Sequence, residues 1–163
     1  MKPIHSLVTA AALALTMAAA APAQAQAQAQ AIVTADPVTI QSVLQSKGYR
    51  AEMSKDGSGD PMITSGVAGA KFVVLFYGCT NHLKCTNIQF YAGFQGTKMT
   101  VGDMNEWNKA HRYSRAYIDK DGDPCIEGDL DLDSGGMSRA LFLDNLDTWS
   151  SLVGTFKAKV YGS

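Results

Sequence analysis

Two strand-like segments joined by a short loop between cysteines constrain the fold of this chain more than any other feature. Residues 71–77 (KFVVLFY) and 86–94 (TNIQFYAGF) are rich in β-branched and aromatic side chains, a composition that favours β-strands. The loop between them carries Cys79 and Cys85, which flank TNHLK. We therefore expect the two segments to pair as an antiparallel β-hairpin.

A disulfide between Cys79 and Cys85 would fix a register that also sorts the side chains of the hairpin. In that register Tyr77 faces Asn87, Leu75 faces Gln89 and Val73 faces Tyr91. The opposite face gathers three apolar pairs: Phe76 with Ile88, Val74 with Phe90, and Phe72 with Ala92. The register that closes the disulfide is therefore the one that segregates a core face.

Residues 1–25 are typical of an export signal peptide. Lys2 supplies a positive start, residues 7–21 are apolar, and small residues in A-x-A spacing follow. The apolar run is shorter than the roughly 18 residues that span a bilayer. We expect cleavage between Ala25 and Ala31, no membrane span afterwards, and a periplasmic or secreted protein. An uncleaved membrane anchor is the alternative.

After the signal peptide we expect an Ala/Gln-rich linker and a single domain. The linker is predicted over residues 26–35 and the domain over residues 36–161. Export favours a Cys79–Cys85 disulfide, contributing roughly 2–3 kcal/mol. Two alternatives stay open, which are reduced thiols and a metal site formed by Cys79, His82 and Cys85 with Cys125 or His111.

The rest of the domain predicts the element order α-β-β-β-β-α-β-β-α. Helices are predicted to begin at Asp36, at a capping box over residues 100–103, and at Ser138. Further strands are predicted around residues 49–53, 62–64, 114–119 and 125–133. Because these strands would pair as hairpins, we expect an α+β fold with helices packed on an antiparallel sheet.

The strand over residues 125–133 alternates apolar and acidic side chains. Period two places its acidic residues on one face, together with Cys125; these are Glu127, Asp129, Asp131 and Asp133. Nearby carboxylates raise the pKa of a thiol, so we expect Cys125 to be buried or unpaired rather than nucleophilic. The acidic face is either a solvated outer surface, neutralised by Arg112, Arg115 or Lys120, or a docking face for a basic partner or a cation.

Composition and motifs exclude several functions. The net charge of −1 provides no basic field for nucleic acid. Asp119, Asp121 and Asp123 begin like a calcium loop, but Pro124 and Leu130 stand where glycine and glutamate are required. The sequence contains no motif of a hydrolase, metalloprotease or nucleotide-binding protein. We therefore expect no enzyme activity, no cofactor and no metal site.

Two stretches of the domain resemble the YbjN family. They are NEWN at residues 105–108 followed by RYSRAYID at 112–119, and CTNHLKCTNIQFYAGF at 79–94. The resemblance runs from about residue 36 to residue 160. It implies an α+β fold similar to that of type III secretion chaperones, a role in bacterial sensory transduction, and no assigned catalytic residues. The signal peptide and the cysteine pair depart from a cytoplasmic regulator.

These observations predict an exported, non-catalytic protein that binds other proteins, in a chaperone-like or regulatory role. The hairpin face opposite the core is also apolar and needs cover from a helix, a second protomer or a partner protein; it consists of Val73, Leu75, Tyr77 and Tyr91. A homodimer is one expected form. The alternatives are a periplasmic protein that binds cations on the acidic strand and an enzyme of unrecognised type.

Overall fold

A computed structural model describes residues 31–96 and 98–162 of the chain. The predicted signal peptide and most of the predicted linker lie outside these residues. Within the described residues, six strands form one antiparallel sheet, a two-stranded sheet lies beside it, and three helices pack on the larger sheet. The α+β fold predicted from the sequence is therefore confirmed.

The helices and strands are numbered in chain order. The helices are α1 (Pro37–Ser46), α2 (Val101–Ala110) and α3 (Arg139–Tyr161). The strands are β1 (Ile32–Val33), β2 (Glu52–Lys55), β3 (Pro61–Val67), β4 (Ala70–Tyr77), β5 (Asn87–Gly93), β6 (Arg115–Ile118), β7 (Pro124–Asp131) and β8 (Met137–Ser138). The large sheet has the order β2-β3-β4-β5-β7-β6, and β1 pairs with β8.

Each helix begins at the residue that the sequence predicts. The Asp36 carboxylate accepts a hydrogen bond from the Thr39 N–H at 2.7 Å. Thr100 and Asp103 form a complete capping box, and the Ser138 hydroxyl accepts from the Leu141 N–H at 3.2 Å. These caps satisfy N–H groups that have no partner inside the helix.

The β4–β5 register is the one that the cysteine pair predicts. Val73 lies opposite Tyr91, and Phe76 lies opposite Ile88. The predicted core face packs beneath α3, where the Trp149 ring stacks on Phe90 with centroids 5.6 Å apart. The apolar side chains on this face of the hairpin are all buried, so one sheet face and three helices enclose the core.

Several boundaries differ from the sequence prediction, and two of them change which residues belong to the folded domain and to the strand face. Val33 and Ala35 are buried, and β1 pairs with β8, so the folded domain includes residues that the sequence assigns to the linker. Strand β7 ends at Asp131, so Asp133 lies in the following turn instead of on the strand face. In that turn the Asp133 N–H donates to the Asp131 carboxylate at 3.0 Å, which turns the chain toward β8.

Candidate functional site

The two surfaces predicted from the sequence lie on the same face of the sheet. Tyr91 on β5 is opposite Val73 on β4 and opposite Glu127 on β7. Residues Val73, Leu75 and Tyr77 therefore share a face with the acidic residues of β7. We call the side opposite the helices the open face. It carries Val73, Leu75, Tyr77, Gln89, Tyr91, Arg115, Tyr117, Glu127, Asp129 and Asp131.

The apolar part of the open face is centred on β4. Val73, Leu75 and Tyr91 are half-buried, and Tyr77 is 44% exposed. Towards β7 the face becomes polar, because Gln89 and Glu127 occupy its middle. The sequence gives no sign that these residues share a face, because β5 and β7 are far apart in the chain and nothing in either strand specifies their pairing.

Glu127 is the centre of a hydrogen-bonded network on the open face. Glu127 is only 6% exposed. Arg115 Nε donates to Glu127 Oε2 at 2.6 Å, and the Tyr117 hydroxyl donates to Oε1 at 2.6 Å. Both oxygens of a buried carboxylate are thus satisfied, which its desolvation requires. Arg115 is one of the cations that the sequence analysis names as a neutraliser of this strand.

The charges of this network shift the pKa values of its members. The hydrogen bond to Glu127 raises the pKa of the Arg115 guanidinium. Burial and the bond to the same carboxylate raise the pKa of the Tyr117 hydroxyl. Each shift favours the hydrogen-bonding form, so the Arg115 guanidinium stays charged and the Tyr117 hydroxyl stays protonated at neutral pH.

Gln89 extends the network towards Tyr77. Its Nε2 donates to Asp129 Oδ1 at 2.7 Å, and its Oε1 accepts from the Tyr77 hydroxyl at 3.3 Å. Gln89 is only 5% exposed, whereas the Asp129 side chain is 56% exposed. Together these groups form the wall of a shallow depression of about 510 Å³, which we call the polar hollow.

The polar hollow carries excess negative charge. Glu127, Asp129 and Asp131 line it, whereas Arg115 is the cation among its lining residues. Arg115 Nη1 lies 3.5 Å from Asp129 Oδ2, so the one guanidinium is shared between two carboxylates. Asp131 remains exposed at the rim. The hollow can therefore accept a positively charged group.

Cys125 is buried at the far end of β7. Its Sγ lies 3.0 Å from the Tyr91 hydroxyl and 3.7 Å from Asp119 Oδ2. Burial, with a smaller contribution from Asp119, raises the pKa of the thiol to about 11. The direction agrees with the sequence analysis, but the main cause is burial and the nearest carboxylate belongs to the β6–β7 turn. The thiol is protonated at neutral pH and is a poor nucleophile.

Cys79 and Cys85 form a disulfide in the loop between β4 and β5. Their sulfurs are therefore not available as thiolate ligands for a metal. His82 in the same loop has a left-handed backbone (φ 57°), and its Nδ1 lies 2.7 Å from Asp60 Oδ1. This contact connects the disulfide loop to the β2–β3 turn, and the sequence gives no signal for it because the partners are 22 residues apart.

The NEWN segment closes one edge of the sheet. Asn108 Oδ1 accepts from the Ala116 N–H at 2.7 Å, and Asn108 Nδ2 donates to the Ala116 carbonyl at 2.9 Å. The carboxamide therefore takes the place of a neighbouring strand along β6. Trp107 is buried, and its Nε1 donates to the Ser114 hydroxyl at 3.2 Å. The sequence identifies these residues as a motif. It gives no indication of their structural role.

His111 stacks on Trp107 with centroids 3.6 Å apart, so its ring packs against the core of α2. Among the residues that the structure describes, no group of three His, Cys, Asp or Glu side chains is placed to hold a metal ion. In this same part of the chain, no helix is long and apolar enough to cross a membrane.

Comparison with known proteins identifies one family. The YbjN family model, described as "Putative bacterial sensory transduction regulator", matches residues 36–161. The match includes the cysteine loop, the NEWN segment and the whole of the open face. A search of curated proteins found no match.

Proposed function

Because the chain belongs to the YbjN family, we propose that it is a regulatory protein without catalytic activity that acts by binding another protein through the open face. The observation that carries this proposal is the presence of two buried polar residues, Gln89 and Glu127, on a sheet face that the described helices leave uncovered. Around them lie half-buried apolar side chains on β4. Protein interfaces combine apolar contact area with hydrogen-bonding groups, and the open face offers both, apolar side chains near β4 and polar ones towards β7.

The energetics of Glu127 support a recognition role. A buried ion pair generally contributes no more to stability than apolar side chains of similar volume. Apolar residues would therefore suffice at this position if the face served only to hold the sheet together. The fixed network with Arg115, Tyr117 and Gln89 instead presents charges and hydrogen-bonding groups in a defined geometry, as specific binding requires.

We also propose that the protein is exported. The sequence of residues 1–31 supports this, and a disulfide is typical of oxidising compartments. The test is fractionation of the native host followed by N-terminal sequencing of the mature chain. We expect the protein in the periplasm or the medium, with its first residue between Gln26 and Ile32. A cytoplasmic protein that keeps Met1 would contradict export.

Site-specific photocrosslinking in the native host tests the binding face. A photoreactive phenylalanine analogue replaces Leu75 on the open face, and the same analogue replaces the exposed Leu141 on α3 as a matched control. We expect a single host protein, identified by mass spectrometry in independent cultures, to be captured from position 75 only. Its capture should fall at least tenfold when Glu127→Gln and Asp129→Asn are added.

The identity of the captured protein distinguishes a homodimer from a complex with a different protein. Capture of a second copy of this chain from position 75 supports a homodimer through the open face. Capture of a different protein supports a chaperone-like or regulatory complex. Equal capture from positions 75 and 141, or capture from 141 alone, would contradict the proposal.

A further inference from the structure

One half of β7 lacks a neighbouring strand on its outer side. On its inner side β7 pairs with β5 along its whole length, from Cys125 opposite Gly93 to Asp131 opposite Asn87. On its outer side the pairing with β6 begins at Pro124 and ends at Glu127, which lies opposite Arg115. The described residues therefore provide no strand partner for the outer edge of residues 128–131.

The chain before β6 turns away where it would have to continue the pairing. In the β6–β7 register Tyr113 would lie opposite Asp129. Tyr113 instead has a left-handed backbone (φ 62°), and its carbonyl oxygen lies 3.2 Å from where a Cβ on Gly128 would be, on the helix side of the sheet. A left-handed conformation is uncommon for a bulky residue, so this departure from the sheet is a specific feature.

The backbone groups that face the unpaired edge belong to Asp129 and Asp131. The Pro124 carbonyl accepts from the Phe94 N–H, and the Leu132 N–H donates to the Thr86 carbonyl, so even-numbered residues direct their backbone groups towards β5. Because backbone groups alternate along a strand, the N–H and C=O groups of Asp129 and Asp131 point outward. An added strand could pair with them.

Two depressions lie on either side of this edge. The polar hollow lies on the open face, where the side chains of Asp129 and Asp131 line it. On the helix side there is a cavity of about 260 Å³, which we call the aromatic hollow. Its lining residues include Phe90, Tyr113, Leu130, Asn145, Thr148 and Trp149. Gly128 also lines it and contributes no side chain to fill it.

We infer that the outer edge of residues 128–131 binds an extended peptide segment in which basic and apolar side chains alternate. The segment would add a strand in line with β6 and form backbone hydrogen bonds with Asp129 and Asp131. Its basic side chains would lie over the polar hollow and its apolar side chains would enter the aromatic hollow, because alternate residues of a strand point to opposite faces.

The molecule's own β6 follows the same rule. Arg115, the first residue of β6, lies opposite Glu127 and binds both Glu127 and Asp129 from the open face. The next basic side chain on that face, two residues along an added strand, would lie opposite Asp129 and within reach of Asp131. The inference rests on the proposed function, for which it specifies the chemistry of the partner.

Binding of a synthetic peptide tests the inference. The probe is a fluorescent peptide of about seven alternating Lys and Leu residues with blocked termini, the length of a typical strand, titrated with the mature protein at physiological salt and followed by anisotropy. Three control peptides carry Glu in place of Lys, Ser in place of Leu, or methyl groups on every second amide nitrogen. We expect saturable binding of the probe and at least tenfold weaker binding of each control.

Two kinds of variant locate the peptide. Asp129→Pro removes the outward N–H and the carboxylate, and Asp129→Ala removes the carboxylate alone. We expect affinity to fall about threefold with Asp129→Ala and at least a further tenfold with Asp129→Pro. Thr148→Trp, which fills the aromatic hollow from α3, should also weaken binding tenfold and remains informative if the proline variant fails to fold, as judged by circular dichroism.

Several results would overturn the inference. They are no binding of the probe at millimolar protein, equal binding of the methylated peptide, or undiminished binding by folded Asp129→Pro and Thr148→Trp variants. If photocrosslinking from position 75 still captures a partner in any of these cases, the proposed function holds and only the edge assignment fails. If both experiments fail, the open face is not a binding surface.

Discussion

The two faces of the large sheet are built from neighbouring residues of the same strands, yet they differ in chemistry. Phe76 and Phe90 point to the helices and are buried among apolar side chains, whereas Tyr77 and Tyr91, next to them in sequence, point to the open face. The covered face consists of aliphatic and aromatic groups. The open face carries hydroxyl, amide, carboxylate and guanidinium groups in a connected network.

Under the proposed function, this difference separates stability and recognition across the sheet. Close-packed apolar side chains stabilise a domain most, and these lie almost entirely on the covered face. On the open face, two of the buried residues are polar, Gln89 and Glu127. Each needs several hydrogen-bond partners. Substitutions on the two faces should therefore have different consequences, and four experiments test or sharpen that contrast.

The largest difference is expected between Phe76→Ala and Tyr77→Ala. Phe76 is fully buried, so its truncation leaves a cavity and should lower the free energy of unfolding by about 3–5 kcal/mol. Tyr77 is 44% exposed and donates one long hydrogen bond to Gln89, so Tyr77→Ala should cost about 1 kcal/mol. Urea denaturation of both variants measures the difference. Equal losses would show that both faces belong to one core.

Removal of the disulfide should affect stability without affecting the open face. Cys79→Ser combined with Cys85→Ser removes the cross-link of the β4–β5 loop and should lower the free energy of unfolding by roughly 2–3 kcal/mol. Binding of the Lys/Leu peptide, measured where the variant is folded, should change less than threefold. A large loss of peptide affinity would show that the loop takes part in binding.

The Asn108 side chain caps the outer edge of β6 at Ala116, whereas within the described part of the chain the outer edge of residues 128–131 on β7 is unpaired. Asn108→Ala leaves the N–H and C=O of Ala116 without their partner and should cost about 1–3 kcal/mol in unfolding free energy. Asn108→Asp keeps the acceptor for the Ala116 N–H and should cost less. Amide exchange of Ala116 should accelerate in Asn108→Ala, and unchanged protection would argue against edge capping by this side chain.

The smallest effect concerns the pH dependence conferred by Cys125. Since the folded pKa is raised from 9.0 to about 11, the unfolded chain loses its thiol proton first as pH rises. Stability from this group is complete below pH 9 and is lost between about pH 9 and 11.

Comparison with Cys125→Ala isolates the contribution of this thiol. The stability difference between the wild-type protein and the variant should shrink as pH rises from 9 to 11. In the folded wild-type protein at pH 8, the thiol should react with a soluble disulfide reagent far more slowly than in denaturant. Rapid labelling of the folded protein would contradict its burial.

The sequence predicts local features of this molecule well and long-range features poorly. Caps such as Asp36 and Thr100 depend on neighbouring residues, and the β4–β5 register follows from one cysteine pair and period two. The pairing of β5 with β7 joins segments about 38 residues apart and has no local signal. For that reason the sequence could not show that the apolar and acidic surfaces form one open face.

The residues of the candidate site show the same difference between local and long-range features. Arg115 could be named as a neutraliser of the acidic strand because it lies on a neighbouring strand, but its assignment to Glu127 depends on the β6–β7 register. The roles of Asn108 and Tyr117 are also tertiary. Strand β6 begins only at Arg115 because Tyr113 has a left-handed backbone conformation. A tyrosine in the sequence gives no indication of that conformation.

The central claim, that β7 has an unpaired outer edge, is tested most directly by hydrogen exchange of single amides in the unliganded protein. The amide protons of Gly128 and Leu130 point towards β5 and should exchange slowly, whereas those of Asp129 and Asp131 point outward and should exchange at least a hundredfold faster. Addition of the Lys/Leu peptide should slow the second pair only. Equal protection of all four amides without peptide would show that the edge is already paired and would contradict the account.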